Sequence, residues 1–277
     1  MFRSLKKSAR QTVLQNYKKF FLATLLLLIA QTSSNLIVNI LSSVQVWLKV
    51  SDAVRLLAVL GLLLSELVLI PVFITVIFKT AILLNQTSLV DFKAEMRKFL
   101  NISNIGKVVL IALLPGLLNL YLEISHAELS ALRLLIFPLK GIPLFLLTLL
   151  STLLQWAMYA VYFTIAAYGT ALKETIAKTM KVLKTGFVKF VLLMLSFILW
   201  ILGMTVLCTT IGFAIYGMEF LRDSGSTTLW EILQTFGMGI SLFFIPYSYT
   251  TYALFFKERL EVHTNNKKKS TAKVKKK

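Results

Sequence analysis

One carboxylate, Glu66, lies inside the apolar run LLLSELVLIPVF at residues 62–73. A carboxyl group in apolar surroundings needs a proton, a hydrogen-bonding partner or a bound cation, because an isolated buried charge is strongly disfavoured. This chemistry allows three roles. Glu66 can carry a proton, bind a cationic substrate, or hold a neighbouring polar side chain by a hydrogen bond.

Polar side chains that could meet Glu66 occur earlier in the chain. They recur at steps of four, four and three residues, which places them on one face of a helix: Gln31, Asn35, Asn39 and Ser42. An antiparallel return of the chain brings Glu66 to the depth of this polar face, and Pro71 is expected to loosen the helix around it. Two interpretations remain open: a neutral Glu66 that only bonds Asn35 or Asn39, and a Glu66 that acts in function.

The sequence lacks the common signatures of enzymes. It contains no phosphate-binding P-loop, no dinucleotide-binding glycine motif, no H-E-x-x-H and no G-x-S-x-G. The histidines, His126 and His263, fall on opposite sides of a membrane in the topology below, and the single cysteine, Cys208, excludes an intrachain disulfide. We therefore expect no catalytic residue, no metal site, no cofactor and no enzymatic activity.

The composition is that of an integral membrane protein. Hydrophobic residues make up 57% of the 277 residues and charged residues 15%, and the mean hydropathy is +0.78. These values lie outside the usual range of soluble domains. The net charge of +18 would suggest nucleic acid as the partner of a soluble protein. Here the basic residues lie between apolar runs, so we expect anionic lipid headgroups as partners and no nucleic acid.

Six apolar segments are candidates for transmembrane helices, since a bilayer core of about 30 Å needs roughly 20 helical residues. They cover residues 20–48, 56–84, 108–122, 142–168, 188–216 and 229–256. The third is short and is expected to be broken at Pro115 and Gly116, followed by an amphipathic stretch at 129–138. A cleaved signal peptide is the alternative for the first segment, but apolar sequence resumes at once as LIVNIL, which favours a continuous span.

The basic residues predict the orientation. Of the 30 Lys and Arg residues, 25 lie in the N-terminal segment, in the regions 79–107 and 173–189, and in the tail from Lys257. Five remain for the other side of the membrane: Lys49, Arg55, Arg133, Lys140 and Arg222. Under the positive-inside rule, both termini are predicted to be cytoplasmic.

A basic amphipathic stretch precedes three of the predicted spans. Aligning Lys19, Lys107 and Lys189 gives steps of 88 and 82 residues, which is consistent with three repeats of an amphipathic helix followed by a helical hairpin. Any multi-pass protein with basic inner loops also looks periodic, so that interpretation stays open. In the third stretch, four lysines are expected to contact lipid headgroups: Lys173, Lys181, Lys184 and Lys189.

The predicted fold class is therefore an all-α polytopic membrane protein with about six transmembrane helices and basic interfacial helices. Residues 1–262 are expected to form a single integral membrane domain. Residues 263–277 are rich in lysine and are expected to form a disordered cytoplasmic tail.

Both ends of the sequence resemble domain-of-unknown-function family 975, a group of bacterial integral membrane proteins. The N-terminal stretch SLKKSARQTVLQNYKKFFLATLL is similar to the family's opening. In residues 172–260 the matching positions are Thr179, Leu183, Leu195, Ser196, Phe197, Ile198, Trp200, Ile245, Pro246, Tyr247, Phe255 and Phe256. Thr185 replaces a usual glycine, and residues 223–239 lengthen the connection before Ile245.

The resemblance implies a fold and a cellular setting, but no catalytic residues. The family looks distantly similar to membrane domains attached to some glycerophosphodiester phosphodiesterases, which suggests envelope lipids as the context. We therefore expect a non-enzymatic, multi-pass protein of the bacterial plasma membrane that acts in envelope or lipid homeostasis or through a membrane partner. The alternative is a small transporter with Glu66 as its coupling or substrate-binding acid, which a water-reachable cavity at Glu66 would favour over a closed, dry core.

Overall fold

The computed structural model describes residues 2–42, 51–85, 91–126, 144–169, 172–216 and 240–260. Nearly all of these residues are helical, and none of them lies in a strand. The predicted stretch at 129–138 and the predicted tail at 263–277 lie outside the described residues. The all-helical class is confirmed for the part of the chain that is described.

We number the helices in chain order. The described ranges contain α1 (Phe2–Ser42), α2 (Asp52–Leu64), α3 (Ile70–Leu84), α4 (Phe92–Phe99), α5 (Ile102–His126), α6 (Leu144–Tyr168), α7 (Leu172–Tyr216) and α8 (240–260). A single π-helical turn, Ser65–Leu69, joins α2 to α3. Glycine ends α6, because Gly169 has a positive φ of 53° that favours a residue without a side chain.

Two described helical stretches are long and apolar enough to cross a membrane, namely Phe2–Ser34 and Leu56–Leu84. A third candidate is the pair Phe92–Phe99 and Ile102–Leu118, which meet at a bend of 57°. The stretch Leu56–Leu84 coincides with the second predicted span. Two or three candidate spans are compatible with a membrane protein, whereas the number six and the threefold repeat stay predictions.

Asn16 divides α1 into a basic segment and an apolar one. Its backbone angles are non-helical (φ −126°, ψ 22°), and its side-chain amide donates to the carbonyl of Thr12 at 3.1 Å. An asparagine side chain competes for backbone hydrogen bonds, which explains why the helix is interrupted there. The basic residues before Asn16 thus form a segment whose direction differs from that of the apolar helix.

A side-chain cap starts each of the helices α4 and α5. The carboxylate of Asp91 accepts hydrogen bonds from the first backbone N–H groups of α4, which otherwise have no partner within the helix. The side-chain oxygen of Asn101 accepts one from the backbone N–H of Asn104 at 2.8 Å, at the start of α5. Helix α4 ends at Phe99, and α5 begins three residues later at Ile102.

The prediction that the third span breaks at Pro115 and Gly116 is wrong. Helix α5 continues through Pro115 from Ile102 to His126. Proline is tolerated inside membrane helices when neighbouring helices pack closely against it. Gly116 permits that approach, because a Cβ at this position would collide with the side chain of Leu67 in the π turn.

The core includes residues of α1 and α5, and most of its aromatic rings lie where α3, α6, α7 and α8 meet. Phe78 of α3 stands edge-on to Tyr249 of α8, with ring centroids 5.3 Å apart. Phe190 of α7 lies 4.7 Å from Phe256 and 5.4 Å from Tyr252. Such pairs contribute about 0.5–1.5 kcal/mol each beyond burial, so they hold α8 in place against its neighbours.

The outer face of α7 carries a continuous apolar stripe. Large exposed side chains recur there at alternating steps of four and three residues: Val188, Leu192, Leu195, Leu199, Leu202 and Val206. At 1.5 Å per residue the stripe is about 27 Å long, which is close to the thickness of a bilayer core. A stripe of this length is typical of a helix that faces lipid.

Candidate functional site

Glu66 is held against α1 by a polar contact. The hydroxyl of Ser34 donates to Oε1 of Glu66 at 2.5 Å. One residue earlier, the hydroxyl of Ser65 donates to the backbone carbonyl of Ala30 at 2.8 Å. Because Ser34 and Ser65 are buried, these two bonds fix the position of α1 along the π turn.

Glu66 is the second residue of the π turn. The backbone N–H of Ile70 bonds to the carbonyl of Ser65, five residues back, and Pro71 has no N–H to donate. The loosening predicted next to Pro71 therefore takes the form of one wide turn immediately before it. Single π turns inside α-helices are frequent at functional sites.

A cavity of about 320 Å³ adjoins Glu66, between the π turn and helices α1, α3, α5, α6 and α8. Its polar lining consists of Gln31, Glu66, Gln155, Tyr159, Tyr162 and Tyr249. Pro71, Pro115 and Gly116 also line it, so the proline after the π turn and the proline within the continuous helix α5 face the same space. The volume lies at the lower end of the range for small-molecule sites.

The cavity presents one acid, two amides and three phenols. The hydroxyl groups of Tyr159 and Tyr249 share a hydrogen bond, and their ring centroids are 5.5 Å apart. Among the described residues that line the cavity, none is Lys, Arg or His. A carboxyl group beside tyrosine faces is suited to a positively charged or strongly hydrogen-bonding ligand, and not to an anion.

The structure brings together two of the four predicted polar residues. Gln31 and Glu66 line the same cavity. The side chains of Asn35 and Asn39 lie outside the described set, so their predicted hydrogen bond with Glu66 stays a prediction. Glu66 lies level with Ser34, five residues before Asn39 in α1.

Sequence reasoning missed the α6 side of the cavity. Gln155, Tyr159 and Tyr162 lie at steps of four and three residues and therefore share one face of α6. This spacing was the signal available in the sequence. Tyr249 reaches the same cavity because α8 packs against Phe78 of α3. No local sequence pattern predicts that packing.

The lysines predicted to contact lipid lie on the exposed side of α7: Lys173, Lys181, Lys184 and Lys189. The inward side of this segment packs through Thr175, Thr179 and Val182, and Thr179 donates a hydrogen bond to the hydroxyl of Thr164 at 3.1 Å. Ile176 is 48% exposed. Basic and apolar side chains are thus both accessible on one segment, as interfacial helices require.

Among the residues that the structure describes, no group of three or more His, Cys, Asp or Glu side chains is placed to hold a metal ion. Comparison with protein-family models, with curated proteins and with solved structures found no match in any of the three. The resemblance to domain-of-unknown-function family 975 therefore stays a prediction based on the motifs quoted above.

Proposed function

We propose that this protein is a multi-pass membrane transporter or solute-binding protein that takes a small cationic solute in the cavity at Glu66. The single observation that carries the proposal is the cavity of about 320 Å³ with Glu66 in its wall. A structural acid that only locks two helices would need a closed, dry core around it, whereas a substrate-binding acid needs open space beside it. The geometry therefore favours the transporter over the purely structural role.

The lining explains why the solute should be a cation. A carboxylate removed from bulk water is stabilised by a positive charge far more than by a neutral group. Tyr159 and Tyr249 line the same cavity, and contact of a cation with the face of a tyrosine ring contributes about 0.5–2 kcal/mol. The amides of Gln31 and Gln155 can bond the remaining polar atoms of the solute and so select its shape.

Movement of the solute requires helices that can change conformation. The π turn before Pro71 and the Pro115–Gly116 pair of α5 lie on two helices that both line the cavity. Broken or irregular helices at the substrate site are a recurrent feature of secondary transporters. This arrangement supports a transport cycle in which α5 and the π turn shift relative to one another.

The proposed topology has six spans, with both termini in the cytoplasm of a bacterial cell. Reporters fused after Arg97 and after Lys277 should both give a cytoplasmic signal, because 25 of the 30 basic residues then share one side. A fusion after Lys49 serves as the matched control and should report the opposite side. An external signal from Arg97 or Lys277 would overturn this topology.

The ligand class can be tested by thermal unfolding of the purified protein. Small organic cations should raise the unfolding temperature, whereas sulfonates of similar size should not. At about a hundredfold excess over its dissociation constant, a ligand stabilises the folded state by about 2.7 kcal/mol. Stabilisation by sulfonates but not by cations, or by neither, would contradict the proposed ligand class.

A second candidate is a non-enzymatic role in envelope or lipid homeostasis, directly or through a membrane partner. The specific observation in its favour is the accessible basic face of α7, where Lys173, Lys184 and Lys189 are all exposed. Each well-placed lysine near an anionic membrane surface contributes about 1 kcal/mol of attraction. This role predicts lipid dependence without any effect of small cations on thermal stability.

A further inference from the structure

The basic segment of α1 before Asn16 forms one wall of a second opening, separate from the cavity at Glu66. This groove has a volume of about 1090 Å³ and reaches α8. The lining residues that matter to its chemistry are Arg3, Lys6, Lys7, Arg10, Leu14 and Tyr247. Four cations thus surround one space.

The fold of the segment directs these cations into the groove. Ala9 and Val13 are fully buried, and Phe2 and Leu5 pack on the core, so the basic residues occupy the opposite face of the helix. Lys6 is also fixed at its tip, where its ammonium group lies 4.2 Å from the ring centroid of Phe197 and donates to the carbonyl of Ser196 at 3.4 Å. One wall of the groove is therefore ordered before any ligand binds.

The cations of the groove form no ion pairs with the described acids. Within the described part of the chain, no carboxylate forms an ion pair with Arg3, Lys6, Lys7 or Arg10. Arginine side chains bind phosphate oxygens through paired N–H groups, and lysine adds a compact charge. We propose that this groove binds the phosphate headgroup of an anionic phospholipid.

Apolar surface beside the cations identifies the ligand as a lipid. Leu14 lines the same groove and is 58% exposed, and the exposed side chains Phe21, Leu22 and Leu26 continue along α1. A phospholipid can place its phosphate among the cations and an acyl chain along these side chains. Free phosphate would gain nothing from Leu14.

Two contacts tie the chain around Asn16 to α3 and α4. The hydroxyl of Thr12 donates to the side chain of Asn85, at the end of α3, at 3.1 Å. Lys19 lies 5.2 Å from the ring centroid of Phe92, at the start of α4. The chain around Asn16 is thus tied to the ends of α3 and α4, while the N-terminal part of the segment reaches Ser196 and Phe197 of α7.

The test measures thermal unfolding of the purified full-length protein with short-chain phosphatidylglycerol, short-chain phosphatidylcholine or glycerol phosphate. Phosphatidylglycerol should raise the unfolding temperature most, and glycerol phosphate should have little effect at the same concentration. The variant R3Q/K7Q/R10Q should lose this shift, and these exposed side chains can be changed without disturbing the buried face. The matched control K93Q/R97Q/K257Q also removes three exposed charges, outside the groove and outside the basic face of α7, and should keep it.

The milder variant Tyr247→Phe retains the ring that packs 5.6 Å from Phe197 and removes only the hydroxyl from the groove. It should reduce the lipid-induced shift while leaving the unfolding temperature without lipid unchanged. Equal loss of the lipid-induced shift in both triple variants would show that diffuse surface charge, and not a defined site, attracts the lipid. An equal shift with glycerol phosphate would make the ligand a free phosphate, and no shift with phosphatidylglycerol would overturn the proposal.

Discussion

Glu66→Gln should leave the protein folded and strongly weaken its response to cationic solutes. Glutamine has the same shape, and its side-chain oxygen can still accept the hydrogen bond from Ser34. The amide cannot supply the negative charge, and a hydrogen bond to a charged group is worth about 1.5–3 kcal/mol. Loss of about 2 kcal/mol corresponds to roughly thirtyfold in affinity. At a hundredfold excess over the wild-type dissociation constant, the cation-induced stabilisation should therefore fall from about 2.7 to about 0.9 kcal/mol.

Glu66→Leu separates stability from function. Leucine leaves the buried hydroxyl of Ser34 without its acceptor, which costs about 1–3 kcal/mol, so this variant should unfold at a lower temperature than Glu66→Gln. Any growth phenotype of the gene deletion provides the activity readout. A Gln variant that is stable and restores growth as well as the wild type would refute the functional role of Glu66.

The second predicted span could be located from sequence because its signal is local. Leu56–Leu84 is a long, mostly apolar run, and the structure has a candidate span over the same residues. The continuity of α5 could not be predicted in the same way. Whether Pro115 breaks a helix depends on what packs against it, and the side chain of Leu67 comes from another helix.

The hydrogen-bond partner of Glu66 could not be predicted from the sequence. The polar face of α1 predicted Gln31 close to Glu66, and the two residues line one cavity. The register of α1 against the π turn could not be predicted, because it depends on the hydrogen bond from Ser65 to the carbonyl of Ala30. A shift of about five residues decides whether Ser34 or Asn39 faces the acid.

The far wall of the cavity depends on contacts between distant parts of the chain. Tyr249 reaches it because α8 packs against α3, α6 and α7 through aromatic rings. Hydrophobic periodicity identifies such helices but does not rank their possible neighbours. A cavity formed by five helices therefore cannot be located from the sequence alone.

Accessibility of the cavity to water can be measured by cysteine labelling. Cys208 is the only cysteine, so a Cys208→Ser background allows single thiols to be introduced. Met158→Cys would place a thiol in the wall of the cavity. Ala160→Cys is the matched control two residues further along α6, where the side chain is 1% exposed and does not line the cavity.

The labelling rate of Met158→Cys in membrane vesicles, with a membrane-impermeant thiol reagent that carries a positive charge, tests the central claim most directly. If a cationic solute reaches the site at Glu66 from water, Met158→Cys should react at least about tenfold faster than Ala160→Cys, because thiol reactivity depends on access. The proposed cationic solutes should slow the reaction at Met158→Cys alone. Equal protection of both thiols from both sides of the membrane would show a closed, dry core and contradict the account.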